Sequence, residues 1–197
     1  MNLPNKLTMV RIFLVPLIII LYIFSPQLNG VMQNLGFYLM GLFFIIASLT
    51  DYFDGKIARK RNIVTTFGKF IDPLADKLLV TTTLLLLSNI YYTNNIGGIY
   101  MWMPFWVVLI VITRDLIVTS IRLVAINEGR IVAAKMSGKL KTAFTMLTIV
   151  YYFFIMPLNI QVISIIGIVL TGIVVLLTLW SAYDYFMKNR EIIFKEI

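Results

Sequence analysis

The chain contains no cysteine and no histidine. Those two absences exclude a thiolate nucleophile, a serine–histidine triad and any zinc site built on Cys or His, so proton transfer falls to carboxylates, lysines or tyrosines. A bound metal would be held mainly by oxygen, which favours Mg2+ or Mn2+. Acidic residues are scarce too: nine Asp and Glu stand against 17 Lys and Arg in 197 residues. Charge of either sign is missing altogether from residues 12–50, 78–113 and 142–183. Each of these blocks is close to twice the roughly 20 residues of one helical membrane span.

What fills the blocks is apolar, and the chain as a whole is 60% hydrophobic. Near its middle each block carries turn-forming residues: Pro26 and Asn29-Gly30, then Asn94-Asn95 and Gly97-Gly98, then Pro157 and Asn159. The pattern predicts an all-α integral membrane protein of six transmembrane helices arranged as three hairpins, forming one domain over 1–197. All the basic residues lie in the charged stretches between and around the blocks, and none in a hairpin turn. The positive-inside bias then places both termini and both charged connections in the cytoplasm. The net charge of +8 is explained by this orientation and by contact with anionic membrane lipids. Nucleic-acid binding is excluded for want of a polar domain to carry it. The run from Ile12 to Phe24 contains Pro16 and leads into Ser25-Pro26-Gln27, which is no small-residue cleavage pattern. The expectation is an uncleaved start, with Met1 to Arg11 forming a short interfacial segment before the first span.

Against this background the stretch from 51 to 76 stands out, because it holds four of the acidic residues: Asp51, Asp54, Asp72 and Asp76. A charged side chain at membrane depth is costly and marks a functional site by default. Spacings of three and four place each pair on one face of a helix. Four converging carboxylates repel one another unless neutralised, and two divalent cations would balance them. Gly55, Ala58 and Gly68 are small enough to admit a bulky ligand or a close helix, and Arg59 offers phosphate a forked set of donors. A single charge such as Lys60 or Lys69 reads as a snorkelling anchor. Four aspartates do not, since Asp contributes little to membrane orientation.

Asp51, Asp54, Gly55, Ala58, Arg59, Gly68, Asp72 and Asp76 reproduce, with every spacing kept, the signature of the CDP-alcohol phosphotransferases, and the chain resembles that family over most of its length. The resemblance implies a six-helix bacterial cell-membrane enzyme, commonly a homodimer, that cleaves a CDP-linked substrate at the cytoplasmic face and releases CMP. It implies that Asp51, Asp54, Asp72 and Asp76 hold two divalent cations, with Asp76 also the base for the acceptor hydroxyl. Gly55, Ala58, Arg59 and Gly68 would line the nucleotide site.

The acceptor is a separate question. The second charged connection is basic, with Arg114, Arg122, Arg130, Lys135, Lys139 and Lys141 against Asp115 and Glu128, and a phosphate-bearing acceptor would want such a cluster. Pro4-Asn5-Lys-Leu-Thr8-Met-Val-Arg11, Thr113-Arg114-Asp115 and Gly138-Lys139-Leu-Lys141-Thr142 are similar to a bacterial branch of the family. That branch joins CDP-diacylglycerol to sn-glycerol 3-phosphate. On this reading Arg114, Arg122, Lys135, Lys139 and Lys141 bind the acceptor phosphate, while Asn5, Thr8 and Arg11 close the nucleotide side. A family member using another acceptor, such as inositol phosphate, is the nearest alternative. A divalent-cation transporter is more remote, because the uncharged blocks offer no acidic residue to continue a path across the membrane.

Overall fold

The computed structural model describes residues 3–25, 31–61, 66–93, 103–127, 136–158 and 161–193, with the side chains of 52–67 and of some helix ends outside the description. Among the described residues the regular structure is helical throughout. The helices are α1 (Leu3–Phe24), α2 (Val31–Arg61), α3 (Thr66–Thr93), α4 (Phe105–Asn127), α5 (Met136–Ile155) and α6 (Gln161–Ile193). A 3-10 turn at Met156–Leu158 ends α5, with Pro157 at its centre where the sequence signals a turn. The other expected turn residues, Pro26, Asn29-Gly30, Asn94-Asn95, Gly97-Gly98 and Asn159, lie outside the described residues.

Among the described residues, three helices contain stretches long and apolar enough to cross a membrane: Asn5–Phe24 in α1, Val31–Asp51 in α2 and Ile165–Arg190 in α6. This gives the chain the character of a membrane protein. The remaining helices are 28, 23 and 20 residues long, comparable to the ~20 residues that span hydrocarbon. Charged side chains interrupt them: Asp72, Asp76 and Lys77 on α3, Arg114, Asp115 and Arg122 on α4, Lys139 and Lys141 on α5. Most of these, together with Asp51 of α2, line the site described below.

The N-terminal segment differs from expectation. Residues 3–11 are the first turns of α1 itself rather than a separate interfacial piece, and Asn5, Thr8 and Arg11 are buried. The physical reason is that Arg11 has partners on α2 and Thr8 has one on α3. Helix α1 packs against both α2 and α3, α6 packs against both α4 and α5, and contacts of α2 with α5 and of α3 with α4 and α5 join the two groups.

The interior is a continuous apolar cluster that includes Val15 and Ile18 of α1, Met40 and Phe44 of α2, Leu79 and Leu87 of α3, Val107 and Val111 of α4, Phe153 of α5 and Val174 of α6. The outer surface is also apolar, with Phe13, Val31, Leu123, Leu147, Leu176 and Trp180 exposed, as a lipid-facing shell requires. Several hydroxyls inside the bundle are satisfied within their own helices. Thr83, Thr145, Thr148 and Thr178 donate to the carbonyls of Leu79, Lys141, Phe144 and Val174, a common solution where water is absent.

Glycine sets one close approach. A Cβ on Gly41 would lie 2.8 Å from Phe153 Cβ and 2.7 Å from Phe154 Cε2, so α2 meets α5 with no room for a methyl group. Pro16 and Pro73 lie inside α1 and α3. Each removes one backbone hydrogen bond, and Pro73 does so between Asp72 and Asp76.

Candidate active site

Helices α2 to α6 together enclose an open cavity of about 650 Å³. One wall is acidic, formed by Asp51 of α2 and Asp76 of α3. The facing wall is basic, with Arg114 and Arg122 of α4 and Lys139 of α5; Lys77, Asp115, Thr119, Gly138, Thr142 and Tyr185 complete the polar lining. A smaller chamber of about 40 Å³ adjoins it, bounded by Asp76, Lys77, Thr81, Asp115, Lys141, Thr142 and Thr145.

The acidic wall is built by local helical geometry and held by α1. Asp51 is half-buried and accepts an ion pair at 2.8 Å from Nη1 of Arg11, a side chain that is 0% exposed. The Arg11 Nε also donates to the Ala47 carbonyl at 3.3 Å, one turn earlier on α2. Asp72 accepts a 2.7 Å hydrogen bond from the Thr8 hydroxyl. Asp76 lies one turn further along α3, where Asp51 and Asp115 act on it as like charges and Arg11 and Lys141 as opposite ones.

The basic wall is organised around Asp115. Its carboxylate accepts from Lys141 Nζ at 3.0 and 2.9 Å and from Arg114 Nη1 at 3.0 Å. Its backbone carbonyl accepts at 2.7 Å from Thr119, whose hydroxyl oxygen in turn accepts from Lys77. Arg114 reaches Ser181 of α6 through its other terminal nitrogen. Gly138 of α5 faces this fork: a Cβ there would sit 3.4 Å from Arg114 Nη2. Arg122 donates to the Tyr185 hydroxyl at 2.7 Å.

Of the residues expected from the sequence, Asp51, Asp76, Arg114, Arg122 and Lys139 meet in the main cavity. Lys141 lines the small chamber and is engaged by Asp115. Asp72 lies beside α1, hydrogen-bonded to Thr8. Asn5 and Gly68 are buried. Asp54, Gly55, Ala58 and Arg59 lie on α2 with side chains outside the description, and Lys135 lies outside the described residues. The sequence reading passed over Lys77, Thr119, Ser181 and Tyr185 and gave Asp115 no role. Asp115 carried a usable signal, the one acidic residue of a largely apolar helix. Tyr185 and Ser181 carried none, because their partners lie 63 and 67 positions away.

Among the described residues no three acidic side chains gather closely enough to hold one metal ion, and Asp54 is not among them. The donor chemistry nevertheless suits hard divalent cations: the acidic wall offers carboxylate oxygen, with no nitrogen or sulfur donor, beside a cavity large enough for substrate.

An apolar helical bundle whose cavity is lined by both carboxylates and cations suits a phosphotransferase acting on a membrane-borne substrate. The chain belongs to the CDP-alcohol phosphatidyltransferase family, whose model matches residues 1–180. It is 37% identical over 197 residues, 96% of each chain, to CDP-diacylglycerol–glycerol-3-phosphate 3-phosphatidyltransferase of Bacillus subtilis. The protein of the same name from Wigglesworthia glossinidia brevipalpis is 34% identical, with 94% of this chain and 93% of that one covered. A probable phosphatidylglycerophosphate synthase of Mycobacterium tuberculosis is 33% identical, with 93% and 79% covered.

Proposed function

We propose that the protein transfers the phosphatidyl group of CDP-diacylglycerol to sn-glycerol 3-phosphate, giving phosphatidylglycerol phosphate and CMP. The observation that carries this reading is the division of one cavity into an acidic and a basic wall, in a chain that matches phosphatidyltransferases along nearly its whole length. The nucleotide pyrophosphate belongs at the acidic wall, at the depth of Asp51 and Asp76. The acceptor phosphate belongs at the basic wall, where Arg114, Arg122 and Lys139 present charge-assisted donors, with Lys135 and Lys141 as further members of the cluster. Asn5 and Thr8, with Gly55, Ala58, Arg59 and Gly68, form the nucleotide side.

In the reaction Asp76 accepts the proton of the acceptor's primary hydroxyl. That oxygen forms a bond to the phosphorus attached to diacylglycerol, the bond from that phosphorus to the CMP oxygen breaks, and CMP departs with the electron pair. Two divalent cations, Mg2+ or Mn2+, would be held by Asp51, Asp54, Asp72 and Asp76 and would supply positive charge to the pyrophosphate. The remaining work is positioning, and phosphoryl transfer asks for little else. Arg114, tied to Asp115 and Ser181, presents a fixed fork rather than a mobile chain.

The same reading makes the chain a single membrane domain of six spans in three hairpins, in a bacterial cell membrane. Both termini and the cavity face the cytoplasm, the bilayer lipids surround the helices, and the working unit is a homodimer. A different acceptor, such as inositol phosphate, would use the same basic wall.

The deciding experiment is CMP release by the purified protein from CDP-diacylglycerol, with sn-glycerol 3-phosphate, inositol phosphate, glycerol and serine supplied in turn. Release only with sn-glycerol 3-phosphate, lost with chelator and restored by Mg2+ or Mn2+, is expected. Equal release with glycerol would refute the role given to the acceptor phosphate.

A further inference from the structure

Tyr185 lies on α6, a helix that brings no charged side chain to the cavity, and it is 1% exposed. Two arginines of α4 converge on its ring. The guanidinium carbon of Arg114 lies 5.5 Å from the ring centroid and that of Arg122 lies 5.6 Å from it. The two residues are eight positions apart, which separates their backbones by about 12 Å along the helix axis. Two cations drawn together from that distance repel each other, and an isolated helix gives them no reason to approach. The ring supplies one, because its face is negative and attracts a guanidinium within about 6 Å. The phenol adds a directional element by accepting from Arg122 Nη2 at 2.7 Å. Tyr185 is itself held in place, since the Asn189 side chain donates to its carbonyl at 2.7 Å. Ser181, one turn earlier on α6, holds the other end of the Arg114 fork.

We infer that Tyr185 is a positioning residue for the acceptor. It converges Arg114 and Arg122 on one point of the cavity, so that two guanidinium groups address a single phosphate group. The inference rests on the reaction proposed above and goes beyond it by naming what orients the acceptor site without itself carrying charge. A ring that merely filled space would serve folding and leave the affinity for the acceptor alone.

The test uses the full-length protein in mixed micelles, with Michaelis constants measured separately for sn-glycerol 3-phosphate and for CDP-diacylglycerol. Tyr185→Phe keeps the ring and deletes the bond to Arg122, and is expected to raise the acceptor KM about fivefold. Tyr185→Leu deletes both interactions and is expected to raise it about 30-fold. In both variants kcat and the KM for CDP-diacylglycerol stay at the wild-type value, and inorganic phosphate weakens as a competitive inhibitor in the same proportion. An unchanged acceptor KM, or equal rises in both Michaelis constants, overturns the inference. Should Tyr185→Leu fail to fold, Tyr185→Phe decides alone through its acceptor KM. Wild-type protein that turned over no phosphate-bearing acceptor would overturn the functional reading and this inference with it; wild-type turnover with unmoved variants overturns the inference only.

Discussion

Replacing Asp115 by Asn would leave Lys141 with its ammonium buried and its counter-charge gone. The Lys141 side chain is 3% exposed and its ammonium donates to both oxygens of the Asp115 carboxylate, at 3.0 and 2.9 Å. Breaking a buried ion pair from one side costs about 3–5 kcal/mol, because a charge remains with nothing to compensate it. Asp115 is 30% exposed to the cavity, and Asn keeps one acceptor oxygen, so the lower end applies, about 3 kcal/mol. The reverse deletion is milder. In Lys141→Met the carboxylate keeps Arg114 at 3.0 Å and stays 30% exposed, which puts the loss near 1 kcal/mol. Asp115→Asn combined with Lys141→Met removes both charges, and its cost falls to about 1 kcal/mol as well. The double-mutant cycle therefore yields a coupling of about 3 kcal/mol. The assay is reversible unfolding in detergent followed by the fluorescence of the three tryptophans. A coupling below about 0.5 kcal/mol, the level at which distant residues add independently, would refute the account of Asp115 as the organiser of the basic wall.

Two further outcomes follow from the packing of α1 and α2. Thr8→Val, which keeps the shape of the side chain but deletes the 2.7 Å bond to Asp72, should lower stability by about 1.5–3 kcal/mol, the range for a hydrogen bond to a charged group. An unfolding midpoint equal to wild type would show that Asp72 does not depend on α1. Gly41→Ala forces a methyl group to within 2.8 Å of Phe153 Cβ, so overpacking should cost about 1–3 kcal/mol, read in the same unfolding experiment. A neutral or stabilising result would mean that α2 and α5 separate without loss.

The spacing of the aspartates within each helix was legible in the sequence because it is local. Asp51 sets its own helix face and Asp76 falls one turn after Asp72, and those relations are fixed by helical periodicity alone. The uncharged blocks likewise marked helices α1, α2 and α6 correctly as apolar enough to cross a membrane. Long-range pairing was not legible. Arg11 is 40 positions from Asp51 and Arg114 is 67 from Ser181, and no periodicity links residues brought together by tertiary packing. The basic wall shows the same limit from another side: its cations could be counted from the sequence, yet nothing local revealed that Lys141 is committed to Asp115 while Lys139 faces the open cavity.

The N-terminal segment shows why that limit matters. Helices α2 and α3 both carry aspartates, and like charges facing each other across two helices oppose their packing. The two helices touch each other far less than each touches α1. Helix α1 lies against both and contributes the groups such a wall lacks: the guanidinium of Arg11 to Asp51 and the hydroxyl of Thr8 to Asp72. Burying an arginine completely is unfavourable unless it is paired, and here its partner is a carboxylate of the frame. The first turns of α1 are drawn into the bundle for that reason, where a count of apolar residues would have left them at the membrane surface. The aspartate wall and the buried N-terminus are thus one structural device, each neutralising a cost that the other imposes.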